Sequence, residues 1–158
     1  MKRNFFITLT SSVYIFILGL VAWILGKPFI FPSLGPTAYL LAFDHKFSHT
    51  PKVVIGGHAA AVAGGLISSY FITQHSTLMS ISEPFQQAGF ELGIGAVVAI
   101  AITVFLMLWL NVSHPPACAT TLIISLGIMP LWSDGLIILA SVSIMYGVYV
   151  LNQKMRNR

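Results

Sequence analysis

The stretch NVSHPPACATT at residues 111–121 places an imidazole, hydroxyls and a thiol around two adjacent prolines. Ser113, His114, Pro115, Pro116 and Thr120 form one candidate binding segment. A second, FPSLGPTAYLL at 31–41, offers Ser33, Gly35, Pro36 and Thr37. Neither segment contains a carboxylate, a lysine or an arginine. Hydroxyls, imidazole and backbone N–H groups are hydrogen-bond donors, so the ligand they suit best is a small anion, with a small neutral solute second. Proline starts a helix well, because its missing N–H would be unpaired at the first position anyway. A helix start carries about half a positive charge and several free N–H donors. Helices beginning near Pro36 and Pro116 would offer two anion-binding ends. His114 could donate to the anion or exchange a proton during transport. The alternative is a structural hydrogen bond to a carbonyl freed by the break.

Other reactive residues fit plainer roles. His58 lies in VVIGGHAAAVAGG, where Gly56, Gly57, Ala60, Gly64 and Gly65 let helices approach closely. It reads as interhelical packing first and as a second proton relay beside His114 next. His45 and His49 have the i,i+4 spacing of metal ligands, with Asp44 nearby, but too few ligands accompany them for a structural zinc site. No metal and no cofactor is expected. Cys118 near His114 raises the idea of a Cys–His nucleophile, yet no acidic residue is placed to orient the histidine, and an enzyme is not expected.

Composition names the surroundings of these residues. The chain has 158 residues, 56% hydrophobic and 8% charged, with a mean hydropathy of +0.87. Soluble domains carry about a quarter charged residues. Lipid must therefore cover most of this surface, and a single transmembrane domain over 1–158 is expected. The net charge of +4 sits at the termini and in short loops, which membrane topology explains without nucleic acid. Lys2 and Arg3 precede an apolar run at 5–25 that ends without a small-residue cleavage site, so it reads as a retained helix.

Four stretches are long enough to span: 5–25, 53–72, 91–110 and 134–152. Two shorter ones, 28–43 and 111–131, have prolines in their first halves. If both dip and return, the basic residues divide five against three across the membrane. If both cross, Lys27 alone lies outside, a stronger asymmetry. Eight extended residues plus eight helical ones reach about 38 Å, enough to cross. The expected fold is an all-α integral membrane protein with six crossings and both termini cytoplasmic. The second crossing of each half is read as half extended and half helical. Placing Ser33 on Ser113 also places Pro36 on Pro116. Each half (about 5–72 and about 91–152) has three crossings, so the halves run oppositely, as a 3+3 inverted-topology repeat. The two half-helix starts are then expected to face each other near the midplane.

With FPSLGPTAYLL (31–41), PKVVIGGH (51–58) and SHPPACATTLI (113–123) in view, the chain resembles the HPP family of small integral membrane proteins. The family pattern usually has glycine after the second proline, where Ala117 and Cys118 stand here. The family is commonly described with four membrane helices. Plastid and cyanobacterial members are associated with nitrite transport, and the resemblance implies the same class of substrate here. The resulting expectation is a transporter or channel for a small monovalent anion in the inner membrane of a prokaryote. The bilayer is one partner, and a homo-oligomer is expected because glycine-rich helix faces suit self-association. The competing class is a non-transporting membrane scaffold or sensor.

Overall fold

The computed structural model describes residues 2–43, 49–74 and 76–156. Six α-helices account for most of them, and no strand occurs among the described residues. They are α1 (Lys2–Leu25), α2 (Ile30–Phe43), α3 (Pro51–Ser68), α4 (Gln87–Trp109), α5 (Cys118–Ser125) and α6 (Trp132–Arg156). A π-helical turn, Ser69–Thr73, continues α3, and a 3₁₀ turn, Pro115–Ala117, leads into α5. Four helices are long and apolar enough to cross a membrane: α1, α3 with its continuation, α4 and α6. Large apolar side chains such as Trp23, Phe71, Phe90 and Phe105 point outward. In water they would be a liability; in a bilayer they are the covered surface. The protein is an integral membrane protein.

Local sequence explains where the helices stop and start. After α1, Gly26 takes φ 63°. Its N–H donates to Trp23 O, and the N–H of Lys27 donates to Ala22 O. This is the paired 5→2 and 6→1 ending that a left-handed residue makes possible. Gly127, at φ 69°, ends α5 in the same way through Ile124 O and Ile123 O. Asn111, at φ 53°, ends α4 through Leu108 O and Met107 O, asparagine being among the side chains that tolerate that conformation. Thr50 caps α3, accepting from the N–H of Val53 at 3.3 Å, with Pro51 at the first helical position.

Contacts sort the helix ends into two groups. Lys27, after α1, pairs with Asp134 at the start of α6. Thr73, at the end of α3, donates to Ser125 O at the end of α5. Leu66, Ser69, Gln74 and the 130–132 segment help to line one groove, which joins these ends. At the opposite end, Tyr146 of α6 donates to His49 O at 2.7 Å. His49 and Val53 line a second pocket with Leu40 of α2 and the 111–116 connection. Successive helices therefore alternate in direction. More than half of the apolar window in α3 is buried (56%), against 22–33% in the other three long helices, so α3 is the central one.

The first short segment departs from the expected layout. Residues 30–35 are helical, not extended, and Pro36 lies inside α2. Pro32 falls in the first turn, where no N–H is needed, and Pro36 forfeits only the bond to its own i−4 carbonyl. The second segment follows expectation more closely: residues 111–114 are non-helical, and helical turns begin at Pro115.

Asp134 is 2% exposed and lies 2.7 Å from Lys27 Nζ, while Lys27 is 35% exposed. Asp134 also accepts from the N–H of Leu131 at 3.3 Å, capping the start of α6. Asp134→Ala removes both interactions, although the freed ammonium can still reach water. Unfolding of purified protein in detergent should show a loss of about 1–3 kcal/mol. Asp134→Asn, which keeps the cap but not the charge, should lose less. Wild-type stability in Asp134→Ala would mean that the α1–α6 clasp contributes nothing.

Candidate functional site

Helix α2 carries Ser33 and Thr37 one turn apart, on one face. That face meets α3 and α5. Ser33 Oγ lies 2.7 Å from Thr120 Oγ1. Thr120 Oγ1 lies 2.9 Å from His58 Nδ1. His58 Nε2 lies 3.0 Å from Thr37 Oγ1, and Thr37 Oγ1 lies 3.0 Å from His114 Nε2. Five side chains from three parts of the sequence thus form one unbroken hydrogen-bonded chain: Ser33, Thr120, His58, Thr37, His114. Ser33, Thr37, His58 and Thr120 are fully buried and His114 nearly so. The two imidazole centroids are 5.4 Å apart.

The donor count in this chain is constrained. Thr37 has one hydroxyl proton and two imidazole nitrogens beside it, so it donates to one and accepts N–H from the other. A neutral His58 then donates at one nitrogen and accepts at the other. The bonds all point from His114 toward Ser33, or all the opposite way.

Glycine brings the helices close enough for this. A Cβ at position 57 would stand 2.5 Å from His114 Cβ and 3.1 Å from Val112 O. At position 65 it would stand 2.8 Å from Ile124 Cβ. Gly57 therefore admits the 111–114 connection against α3, and Gly65 admits α5. His58 sits between them and reaches both neighbours.

His114 also faces the pocket, about 600 Å³, that Leu40, His49, Met107, Asn111, Ser113 and the two prolines help to line. Its polar groups are imidazole, amide and hydroxyl. Among the described residues, no carboxylate, lysine or arginine lines it. The pocket opens at the end of the bundle that holds His49 and the late part of α6.

Of the residues singled out from the sequence, Ser33, Thr37, His58, His114 and Thr120 come together in the chain, and Ser113, Pro115 and Pro116 line the pocket. Gly35 instead faces Ile15 of α1, and Pro36 is exposed. The expected cradle of free helix N–H groups does not form at α5. Pro115 and Pro116 have no N–H, and those of Ala117 and Cys118 are bonded to His114 O and Pro115 O. At α2, the N–H groups of Ile30, Phe31 and Ser33 are likewise bonded. The two helix starts also lie at opposite ends of the bundle, because α2 and α5 run antiparallel past each other. Side chains, not helix ends, make the site. Asn111, Met107, Leu40 and Val53 were not singled out from the sequence. His49 drew notice only through its spacing to His45, which with Asp44 lies outside the described residues. No cluster of three metal-ligating side chains occurs among the described residues.

The model of the HPP transmembrane region matches residues 1–158, the whole chain. The chain belongs to the HPP family. Comparison with curated proteins returned no match, and comparison with solved structures returned none. In this HPP chain the His-Pro-Pro tripeptide, His114–Pro116, lies where the buried chain meets the pocket. Ala117, where the family usually has glycine, is fully buried in a small cluster with Ala60, Ala61, Met107 and Val112.

Proposed function

We propose that this HPP protein transports a small monovalent anion, nitrite being the substrate implied by the family resemblance, and that it is not an enzyme. The observation that carries this reading is the buried chain from Ser33 to His114, continuous with a pocket that has polar donors and, among the described residues, no carboxylate. An apolar bundle does not need a connected set of two imidazoles and three hydroxyls to hold together, and ionisable groups inside a membrane point to pathways. A cation site would use carboxylates or carbonyl rings instead. The reading includes six crossings, with α2 and α5 as short ones, and cytoplasmic termini, as the charge asymmetry favours. Support for an inverted repeat comes from helix pairing. Exchanging α1 with α4, α2 with α5 and α3 with α6 maps the α3–α4, α3–α5 and α1–α2 contacts onto α1–α6, α2–α6 and α4–α5, and leaves the α2–α5 and α3–α6 contacts in place. The chain would sit in the inner membrane of a prokaryote as a homo-oligomer.

Ser113 is exposed in the pocket. In a Cys118→Ser background, Ser113→Cys should be labelled by a membrane-impermeant thiol reagent from the cytoplasmic side only. Labelling should block nitrite uptake, and nitrite should slow the labelling. Labelling from the outside would overturn the topology. Labelled protein that transports normally would remove the pocket from the path and favour a scaffold or sensor role for the network.

A further inference from the structure

The hydrogen-bonded chain has a property that anion binding does not require. Every link is a group that can both give and take a proton, and the links are 2.7–3.0 Å long. We infer that Ser33, Thr120, His58, Thr37 and His114 form a proton wire, so that the anion travels with a proton as co-substrate. This rests on the transport reading above.

Consider the chain with all bonds pointing from His114 toward Ser33. Water in the pocket gives a proton to His114 Nδ1 as His114 Nε2 passes its own to Thr37. Thr37 passes its proton to His58 Nε2, and His58 Nδ1 passes its proton to Thr120. Thr120 passes its proton to Ser33, whose original hydroxyl proton leaves to water admitted at that end of the wire. One proton has entered and one has left, and every group is again neutral. Both imidazoles have changed tautomer and every hydroxyl has reversed. A second proton cannot follow until His58 breaks both bonds and resets. The wire is thus a one-proton device rather than an open leak.

Its two ends differ. His114 meets the pocket, whereas Ser33 is fully buried. Release beyond Ser33 needs α2 and α5 to part there, which ties the proton to a conformational change. The groups facing His114 are Thr37 from α2, His58 from α3 and His49 across the pocket. Those facing His58 are Thr37, Thr120 and His114. Among the described residues, none of these is a carboxylic acid or a permanent cation that would hold the proton in place.

The test uses purified full-length protein in vesicles with a pH dye inside, sodium nitrite added outside, and protein-free vesicles subtracted. Nitrite uptake and internal acidification are read together. Wild type should show both. Thr37→Ser keeps the hydroxyl and should retain both within about threefold. Thr37→Val nearly preserves shape but breaks the wire, and its nitrite-driven acidification should fall on the order of a hundredfold. Nitrite uptake without acidification in wild type overturns the wire and leaves the anion reading standing. So does acidification in folded Thr37→Val equal to wild type. Acidification that ignores nitrite overturns the coupling. Absence of nitrite uptake in wild type overturns the anion reading and, with it, the co-substrate.

Discussion

His58→Leu protein should fold, lose about 1–3 kcal/mol of stability, and transport nitrite at least about a hundredfold more slowly than wild type. The two numbers have different origins. Leucine is near histidine in volume, so little cavity forms. Two hydrogen bonds disappear, to Thr37 and to Thr120. Hydrogen bonds between membrane helices average only about 0.6 kcal/mol each, and buried hydroxyls can turn back to their own helix carbonyls. The stability loss is therefore modest. Function has no such fallback, because His58 alone joins the Ser33–Thr120 pair to the Thr37–His114 pair. Flux and thermal unfolding of the same preparation separate the two effects. Wild-type flux from folded His58→Leu would make the histidine a packing residue only.

Gly57→Val should be the more damaging change for the fold. A Cβ alone would meet His114 Cβ at 2.5 Å and Val112 O at 3.1 Å. Those neighbours are a backbone oxygen and the root of a side chain, so neither can swing aside. The connection at 111–114 must shift as a whole. That removes Val112 from its buried cluster and draws His114 Nε2 away from Thr37, so transport should be lost. Overpacking typically costs about 1–3 kcal/mol, and two methyls beyond Cβ place valine at the upper end. Gly57→Ala should be intermediate in both measures. Gly93, which a Cβ would leave without a neighbour within 4 Å, is the matched control: Gly93→Ala should change neither by much. Equal effects at the two positions would show that helix propensity, not close approach, governs Gly57.

The long helices were legible because apolar length is a strong signal. The expected 5–25, 53–72, 91–110 and 134–152 became helices extended by a few residues at most ends. Pro36 misled because a proline is compatible with a helix start and, at the loss of one backbone bond, with a helix interior; α2, held by its buried face, takes the second course. The prolines misled again at α5. They do mark its start, but they also strip that start of the donors an anion would use. Ser33, Thr37, His114 and Thr120 were recoverable as hydroxyls and an imidazole beside prolines in matched halves. Their partner His58 was visible among glycines, but nothing in sequence spacing showed that its two nitrogens reach opposite ways. The Lys27–Asp134 pair was hidden for the same reason: the residues are far apart in sequence and meet only once α1 and α6 are side by side.

The most direct test of the transport reading is flux through purified protein in vesicles, comparing nitrite and nitrate with sodium and potassium. A buried path of imidazole and hydroxyl donors, with no carboxylate among its described residues, should pass the anions at least about tenfold faster than either cation, above protein-free vesicles. Cation flux equal to or greater than anion flux, or no flux of any ion from folded protein, would contradict the account.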